Sequence, residues 1–368
     1  MLKPDVVAVI LNYKRPDDTV ECVDALRRST FEATKIIVVN NDLSDKSTDA
    51  LLKKYPDLEL IHTGKNYGYA GGMNIGLKRA LQLRSKYLFV ANSDTVVEKD
   101  VISLLVAAME NHPNTAAASG TICYYDDPKK IWCAEGEINY WRATASYRTA
   151  LPAEHRLREG GILPVTFISG CAFLVRSSAL ESVGLFDERF FMYLEDTELC
   201  SRFVRNGYDL LYLPAAIIRH KVNDGGIAPL PLYFSVRNRY LFLAVAASWF
   251  PRIVGFTYLS IVTAAKFIFW SLTRKDSIPR RSVIQTKPPH TCWYPLSFKS
   301  VSPSASDHVN PYTLAGENTS APRGRQLSAI PSPIIKHSEE TSVITLFYPS
   351  TFLLCRTSPC PSTKVPLK

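Results

Sequence analysis

With 368 residues, 46% of them hydrophobic, the chain has room for one large core with a tail or for roughly two domains. A formal charge of +9 favours anionic lipid or phosphorylated substrates. Nucleic acid is set aside as a partner, because no zinc-finger spacing and no RNA-reading aromatic motif is present.

Residues 6–13 form a nearly continuous apolar, β-branched run suited to a strand buried on both faces. Only Lys3 precedes it as a charge donor and no small-residue cleavage site follows Asn12-Tyr-Lys-Arg15, so a buried strand is expected rather than a secretory segment. A helix follows, with Asp17 or Asp18 near its cap and Val20, Cys22, Val23 and Leu26 as its inner stripe. Residues 35–39 and 58–61 read as further strands, the first ending at Asn40-Asn41-Asp42. Residues 71–83 read as a helix with Met73, Ile75, Leu77 and Leu81 inward, 87–90 as a strand and 97–109 as a helix. This alternation predicts right-handed crossovers and a mostly parallel sheet, with ligands at the carboxyl ends of the strands, where Asn12, Asn40, Asp42 and Asp94 occur.

The second half is less periodic. Residues 123–165 read as a loop-rich platform, 166–175 as a strand interrupted by Gly170, and Ser177-Ser178 as the cap of a short helix ending at Gly184. A helix over 196–206 and short strands over 210–213 and 216–218 complete this part. The apolar stretch 241–272, broken at Pro251-Arg252 and flanked by basic residues, reads as interfacial helices on an anionic leaflet; a spanning helix or a soluble helix pair are the alternatives. Beyond residue 276 prolines and serines crowd in and a disordered tail is expected. The predicted organisation is therefore a catalytic domain over 1–235, a membrane-associated segment over 236–275 and a tail over 276–368. None of the eight cysteines forms a CxxC pair, and Cys22, Cys171 and Cys200 read as reduced core thiols of a cytosolic protein.

Three separated signals carry chemistry. Asn92-Ser93-Asp94 ends an apolar strand on an acid, which can bind a divalent ion that also takes diphosphate oxygens, although such residues also suit a plain turn. Glu195-Asp196 opens a helix; two adjacent acids cannot both cap it, so one is free as a base, here Asp196 with Glu195 as competitor. His220 ends a strand and can complete an oxygen/nitrogen metal site. The glycine-rich run from Asn66 through Gly71, Gly72 and Asn74 to Gly76 opens a helix and could present amides to phosphate, or let the helix pack close to the sheet.

Together these motifs resemble glycosyltransferase family 2, in the branch of rhamnosyltransferase-like and galactofuranosyltransferase-like enzymes. The matching segments are Val9-Ile-Leu-Asn12-Tyr13, Val38-Val-Asn40-Asn41, Asn66 to Gly76, Asn92-Ser-Asp94, Ile168 to Arg176, Val183-Gly-Leu-Phe-Asp187-Glu and Phe191-Met-Tyr-Leu-Glu195-Asp196. The resemblance implies an α/β GT-A fold, a nucleotide-sugar donor and inversion at the anomeric carbon. It implies that Asp94 and His220 bind Mg2+ or Mn2+, that Asn92 contacts donor or water around the ion, that Asp196 is the base and that Asn12 and Tyr13 line the nucleotide pocket. Many members carry an aspartate where this chain has Asn40, and that residue reads the pyrimidine base. The asparagine oxygen can still accept from the base, but the charge is gone, and Asp42 is the nearest substitute.

The expected activity is transfer from a UDP- or dTDP-sugar to a glycan or lipid-linked acceptor, read partly by Trp132, Tyr140 and Trp141, by a cytoplasmic enzyme at the membrane surface. The rivals are a sugar nucleotidyltransferase and an inactive nucleotide-sugar binder or membrane scaffold.

Overall fold

Val6 to Leu11 alternate between two hydrophobic clusters: Val6, Ala8 and Ile10 face one, and Val7, Val9 and Leu11 the other. A strand buried on both faces needs helices on both faces, and the computed structural model has them. It describes residues 5–31, 34–43, 48–149, 161–222 and 229–273. These lie in one compact unit, Met1–Ser277; the expected tail lies outside the described residues.

The first half follows the expected alternation. Strands β1 (Val6–Asn12), β2 (Thr34–Asn40), β3 (Glu59–His62) and β4 (Tyr87–Asn92) pair in parallel in the order β3-β2-β1-β4. Helices α1 (Pro16–Arg27), α2 (Asp49–Lys54) and α3 (Gly68–Gln82) connect them. On one face Cys22, Val23 and Leu26 of α1 meet the sheet, and on the other Ala70, Met73, Leu77 and Ala80 of α3.

Glycines set how closely α3 lies on the sheet. A Cβ at Gly76 would run into Cγ1 of Val9 and stand 2.7 Å from Cγ2 of Val39; at Gly72 it would lie 2.8 Å from Cδ1 of Leu11. Gly76→Val is therefore expected to lower stability by about 1–3 kcal/mol through overpacking, read as a lower midpoint in urea unfolding.

The second half departs from the parallel reading. β5 (Thr95–Val97) is a short strand where the predicted helix was to begin, and α4 runs Val101–Asn111. β6 (Thr115–Tyr124), whose small residues give little strand signal, lies inside the sheet. The supposed loop-rich platform holds a hairpin, β7 (Ile131–Asn139) with β8 (Thr144–Arg148). After β9 (Leu163–Val165), β10 (Ala172–Arg176) inserts antiparallel between β4 and β6. Helix α5 (Ser177–Val183), a 3-10 turn at Glu188–Phe190 and helix α6 (Glu195–Arg205) follow. The two short strands expected near 210–218 are one, β11 (Asp209–His220), which carries a register shift between Leu213 and Ile217 and pairs with β5, β6 and β9. The sheet is thus mixed, flanked by helices, and GT-A-like.

Two C-terminal helices complete the unit, α7 (Pro229–Ala246) and α8 (Trp249–Thr273). α7 begins ahead of the expected boundary at 236 and packs on the catalytic body: Phe242, Leu243 and Ala246 share a cluster with Ala143, Phe190 and Leu259. Within α8, Trp249–Phe269 is long and apolar enough to cross a membrane by length and composition, and little of it is buried.

Candidate active site

Strand pairing gathers the site. Asn12 stands opposite Asn40 in the β1–β2 register, and Leu11 opposite Asn92 in β1–β4. Asp94 follows β4 by two residues and directly precedes β5, whose Thr95 pairs with His220 at the end of β11. The Lys221 amide also donates to the Asp94 carbonyl at 3.0 Å. This antiparallel contact brings Nε2 of His220 to 3.2 Å from Oδ1 of Asp94. The rings of Trp132 and His220 meet in a T-shaped contact, with centroids 4.8 Å apart.

Asp196 joins through the Gly170 turn. The Asn92 amide donates to the Cys171 carbonyl at 2.8 Å, and the neighbouring Gly170 amide donates to Oδ2 of Asp196 at 2.8 Å. Oδ1 of Asp196 accepts from the amide and hydroxyl of Thr197 at 2.7 and 3.2 Å. A Cβ at Gly170 would sit 3.1 Å from Cβ of Asp196, so the close approach uses the missing side chain. The Tyr69 hydroxyl donates to the Gly170 carbonyl at 2.5 Å and steadies the same turn.

The two acids differ in surroundings. Burial pushes the Glu195 carboxyl well above its usual range, and the charge of Asp196 adds to this; its Oε2 is buried without a hydrogen-bond partner. Burial also raises Asp196, against the opposing pull of the Gly170 and Thr197 donors. Three donors therefore favour Asp196 as the ionised member and Glu195 as the protonated one. At Asp94 burial pushes the carboxyl up, but the contact with His220 and the charge of Arg15 outweigh it, and the group lies below its usual range.

A metal fits this arrangement. Oδ1 of Asn92, two residues before Asp94, is buried without a hydrogen-bond partner, and Oδ1 of Asp94 meets only Nε2 of His220. The 3.2 Å between the Asp94 oxygen and the His220 nitrogen matches the roughly 3 Å between neighbouring donors around an octahedral ion with bonds near 2.1 Å. No group of three or more His, Cys, Asp or Glu side chains able to hold an ion occurs among the described residues, so water and substrate oxygens would complete the shell, as Mg2+ sites commonly require.

The remaining predicted residues fall into two groups. Asn12 and Asn40 are fully buried and bonded to each other, Asn12 Nδ2 donating to Asn40 Oδ1 at 2.9 Å. Oδ1 of Asn12 accepts from the Arg15 amide and the Thr19 hydroxyl, which fixes the turn into α1. Asp42 is buried and accepts from the Leu43 amide, Tyr13 is exposed, and Asn66 accepts from the Gly68 amide at 2.8 Å. Asn74 is committed elsewhere: it donates to the Phe186 carbonyl and to Glu188, and accepts from the Phe186 amide. Gly72 serves close packing, and the Gly71 Cβ position is crowded by Tyr67.

Four residues that the sequence reading assigned no role in this site take part in it. Nη1 of Arg15 lies 2.5 Å from Oδ2 of Asp94, and Nε 3.3 Å from Asp18. Asn41 binds the Asn66 side chain, the Gly68 carbonyl and the Tyr67 amide and so shapes the glycine loop. Tyr69 and Asn238 are the others. Asn238, on α7, is fully buried, and its Nδ2 donates to the carbonyls of Phe190, Met192 and Tyr193. Those residues lead directly into Glu195. Phe191, Tyr193 and Leu194 have φ of 63°, 68° and 67°, a region that costs a non-glycine residue about 1–3 kcal/mol.

Residues 7–184 match the family model described as "Glycosyl transferase family 2"; Asp94 lies within the match, and Asp196 and His220 beyond it. An N-acetylglucosaminyl-diphospho-decaprenol L-rhamnosyltransferase of Mycobacterium tuberculosis is 27% identical over 269 residues, which cover 65% of this chain and 84% of the relative. The galactofuranosyltransferase GlfT1 of the same species is 28% identical over 208 residues, covering 55% of this chain and 65% of that one. Among solved structures, GalNAc-T7 with UDP, GalNAc and Mn2+ superposes with a TM-score of 0.52 at 15% identity, covering 64% of this chain and 48% of the other, a likeness of fold.

Proposed function

From the premise that the chain belongs to glycosyl transferase family 2, we propose that it transfers a sugar, with inversion, from a UDP- or dTDP-sugar to a hydroxyl of a glycan or lipid-linked acceptor. The observation that carries this reading is the pairing of Asp94 with His220 at 3.2 Å, next to the Gly170 turn that holds Asp196. Asp94 and His220 would hold Mg2+ or Mn2+, which supplies neutralisation of the diphosphate charge when bound. Asp196, ionised by its three donors, takes the proton of the acceptor hydroxyl. The freed oxygen forms a bond to the sugar C1 as the C1–oxygen bond to the diphosphate breaks, and the nucleoside diphosphate leaves. Gly170 and Thr197 hold the carboxylate in place for this transfer. Trp132, against His220, supports the hairpin as part of an acceptor platform. The names of the relatives, with decaprenol-linked and galactofuranosyl chemistry, favour a lipid-linked glycan acceptor.

The test is Mn2+-dependent release of UDP or dTDP from a panel of donor sugars. Release from one donor is expected. Donor binding without turnover would favour the scaffold reading, and pyrophosphate release from a nucleoside triphosphate the nucleotidyltransferase.

We place the enzyme at the cytoplasmic membrane surface through α8, where Ile253, Ile261, Phe267 and Phe269 are exposed. A double substitution, Ile261→Glu with Phe267→Glu, removes two apolar anchors worth about 1.5–3 kcal/mol each. It is expected to weaken co-sedimentation with phosphatidylglycerol vesicles by roughly tenfold or more, with UDP binding unchanged. Equal sedimentation of the variant would exclude α8 as the anchor.

A further inference from the structure

The strained segment before Glu195 is held from outside the strand-and-helix core that builds the metal-binding end of the site. The two N–H of Asn238 Nδ2 are shared among three carbonyls, at 2.8 Å to Phe190 and 2.7 Å to Met192 and Tyr193. Its own oxygen accepts from Nε of Arg237 at 2.8 Å and from Nη2 at 2.5 Å, so both ends of the amide are engaged. The same guanidinium donates to the Phe190 carbonyl at 3.0 Å. One turn earlier on α7, Phe234 stacks on Phe191 with centroids 4.8 Å apart and planes 17° from parallel. On its other side the segment meets the glycine loop, where the Ala70 amide donates to the Phe191 carbonyl at 3.1 Å.

A run with three non-glycine residues at positive φ persists only where its surroundings over-determine it. Here those surroundings are one face of α7 on one side and the start of α3 on the other. We infer that Asn238 is a positioning residue for the acid pair. It fixes the segment 190–194 so that Glu195 and Asp196 start α6 with the Asp196 carboxylate on the Gly170 amide. The inference rests on the proposed transferase function and adds a determinant of turnover that lies on the helix joining the catalytic body to α8. Because Asp94 lies between β4 and β5 and His220 ends β11, losing the clamp should affect proton removal and leave nucleotide and metal binding intact.

The experiment uses the full chain and Asn238→Asp, which keeps the shape and removes the donor. Three quantities are compared with wild type: amide hydrogen exchange over 190–196, affinity for UDP or dTDP with Mn2+, and steady-state release of nucleoside diphosphate from the donor that gives turnover. Faster exchange in that segment, nucleotide affinity within about twofold, and kcat reduced at least tenfold with little change in donor KM are expected. Should Asn238→Asp not fold, Phe234→Ala loosens the same segment more gently, with a smaller fall in kcat in the same direction. Turnover kept at wild-type level by a variant whose segment exchanges faster would overturn the inference, and so would unchanged exchange. A wild type that binds neither UDP nor dTDP with Mn2+ would instead sink the functional reading, and this inference with it.

Discussion

Asp196→Asn is expected to reduce turnover by about 10²–10⁴-fold, the usual worth of a positioned general base, while leaving Mn2+-dependent UDP or dTDP affinity near wild type. Asparagine keeps the volume, but its single oxygen can accept from only one of the Gly170 and Thr197 amides, which bind different oxygens of the aspartate; the melting temperature of the variant is therefore measured beside its turnover, and a small drop is expected. The pH dependence follows from burial. Both carboxyls are raised, and a base works only when ionised. Wild-type turnover should be complete above the raised value and fall as pH drops through it, with its acid limb above the ordinary aspartate value of about 3.9. A limb at or below that value would contradict the assignment. Glu195→Gln separates the two acids. A carboxyl whose folded pKa is raised favours the folded state below its ordinary pKa, and that contribution is lost as pH rises through the folded value. Glutamine is neutral throughout, so this variant should gain thermal stability over wild type as pH rises, seen in melting temperatures measured across pH.

The second large effect is expected at Asp94. Asp94→Ala removes one of the two protein groups placed to hold the ion, and nucleotide affinity in Mn2+ should fall to the value that wild type shows in EDTA. Turnover should fall by about 10²–10³-fold, the scale of one lost electrostatic group at a reacting centre. Isothermal titration with and without chelator checks this; affinity in the variant that still responds to Mn2+ would move the metal site elsewhere. Arg15 gives the complementary outcome. Its guanidinium sits on Oδ2 of Asp94 and competes with any cation for that carboxylate. Arg15→Gln should therefore tighten Mn2+ binding in the absence of nucleotide.

The elements legible in the sequence were those that carry their own pattern. β1, β2 and β4 are unbroken apolar runs because helices cover both faces, and they end on Asn12, Asn40 and Asn92 as expected. β6 was invisible because its buried stretch Ala116, Ala117 and Ala118 carries no β-branched or large apolar side chain to mark a strand. The antiparallel β10 and the joined β11 depend on partners far along the chain, which no local period records. The site shows the same division. Asp94, Glu195, Asp196 and His220 stand out because acids and an imidazole at element ends break an apolar pattern, and the fold brings Asp94 to His220 and Asp196 to the Gly170 turn. Arg15 reaches Asp94 across 79 positions and Asn238 reaches its carbonyls across 45 to 48, and neither stands out from its local sequence. Asn74 misled for the opposite reason: a polar residue in a glycine-rich helix start suggests a ligand, yet its amide is spent on the backbone of Phe186.

The antiparallel strand β10 has a consequence for biosynthesis. It supplies the hydrogen-bonding partner of both β4 and β6, yet it is made after them, ending at Arg176. Until that residue has left the ribosome, two apolar strands each present an open edge to solvent, a template for wrong pairing. The other neighbour of β6, β11, is complete only at His220, so translation from residue 125 to 220 is the interval in which the nascent chain most needs a chaperone, and slowing the ribosome there should lower the soluble yield without altering the finished enzyme.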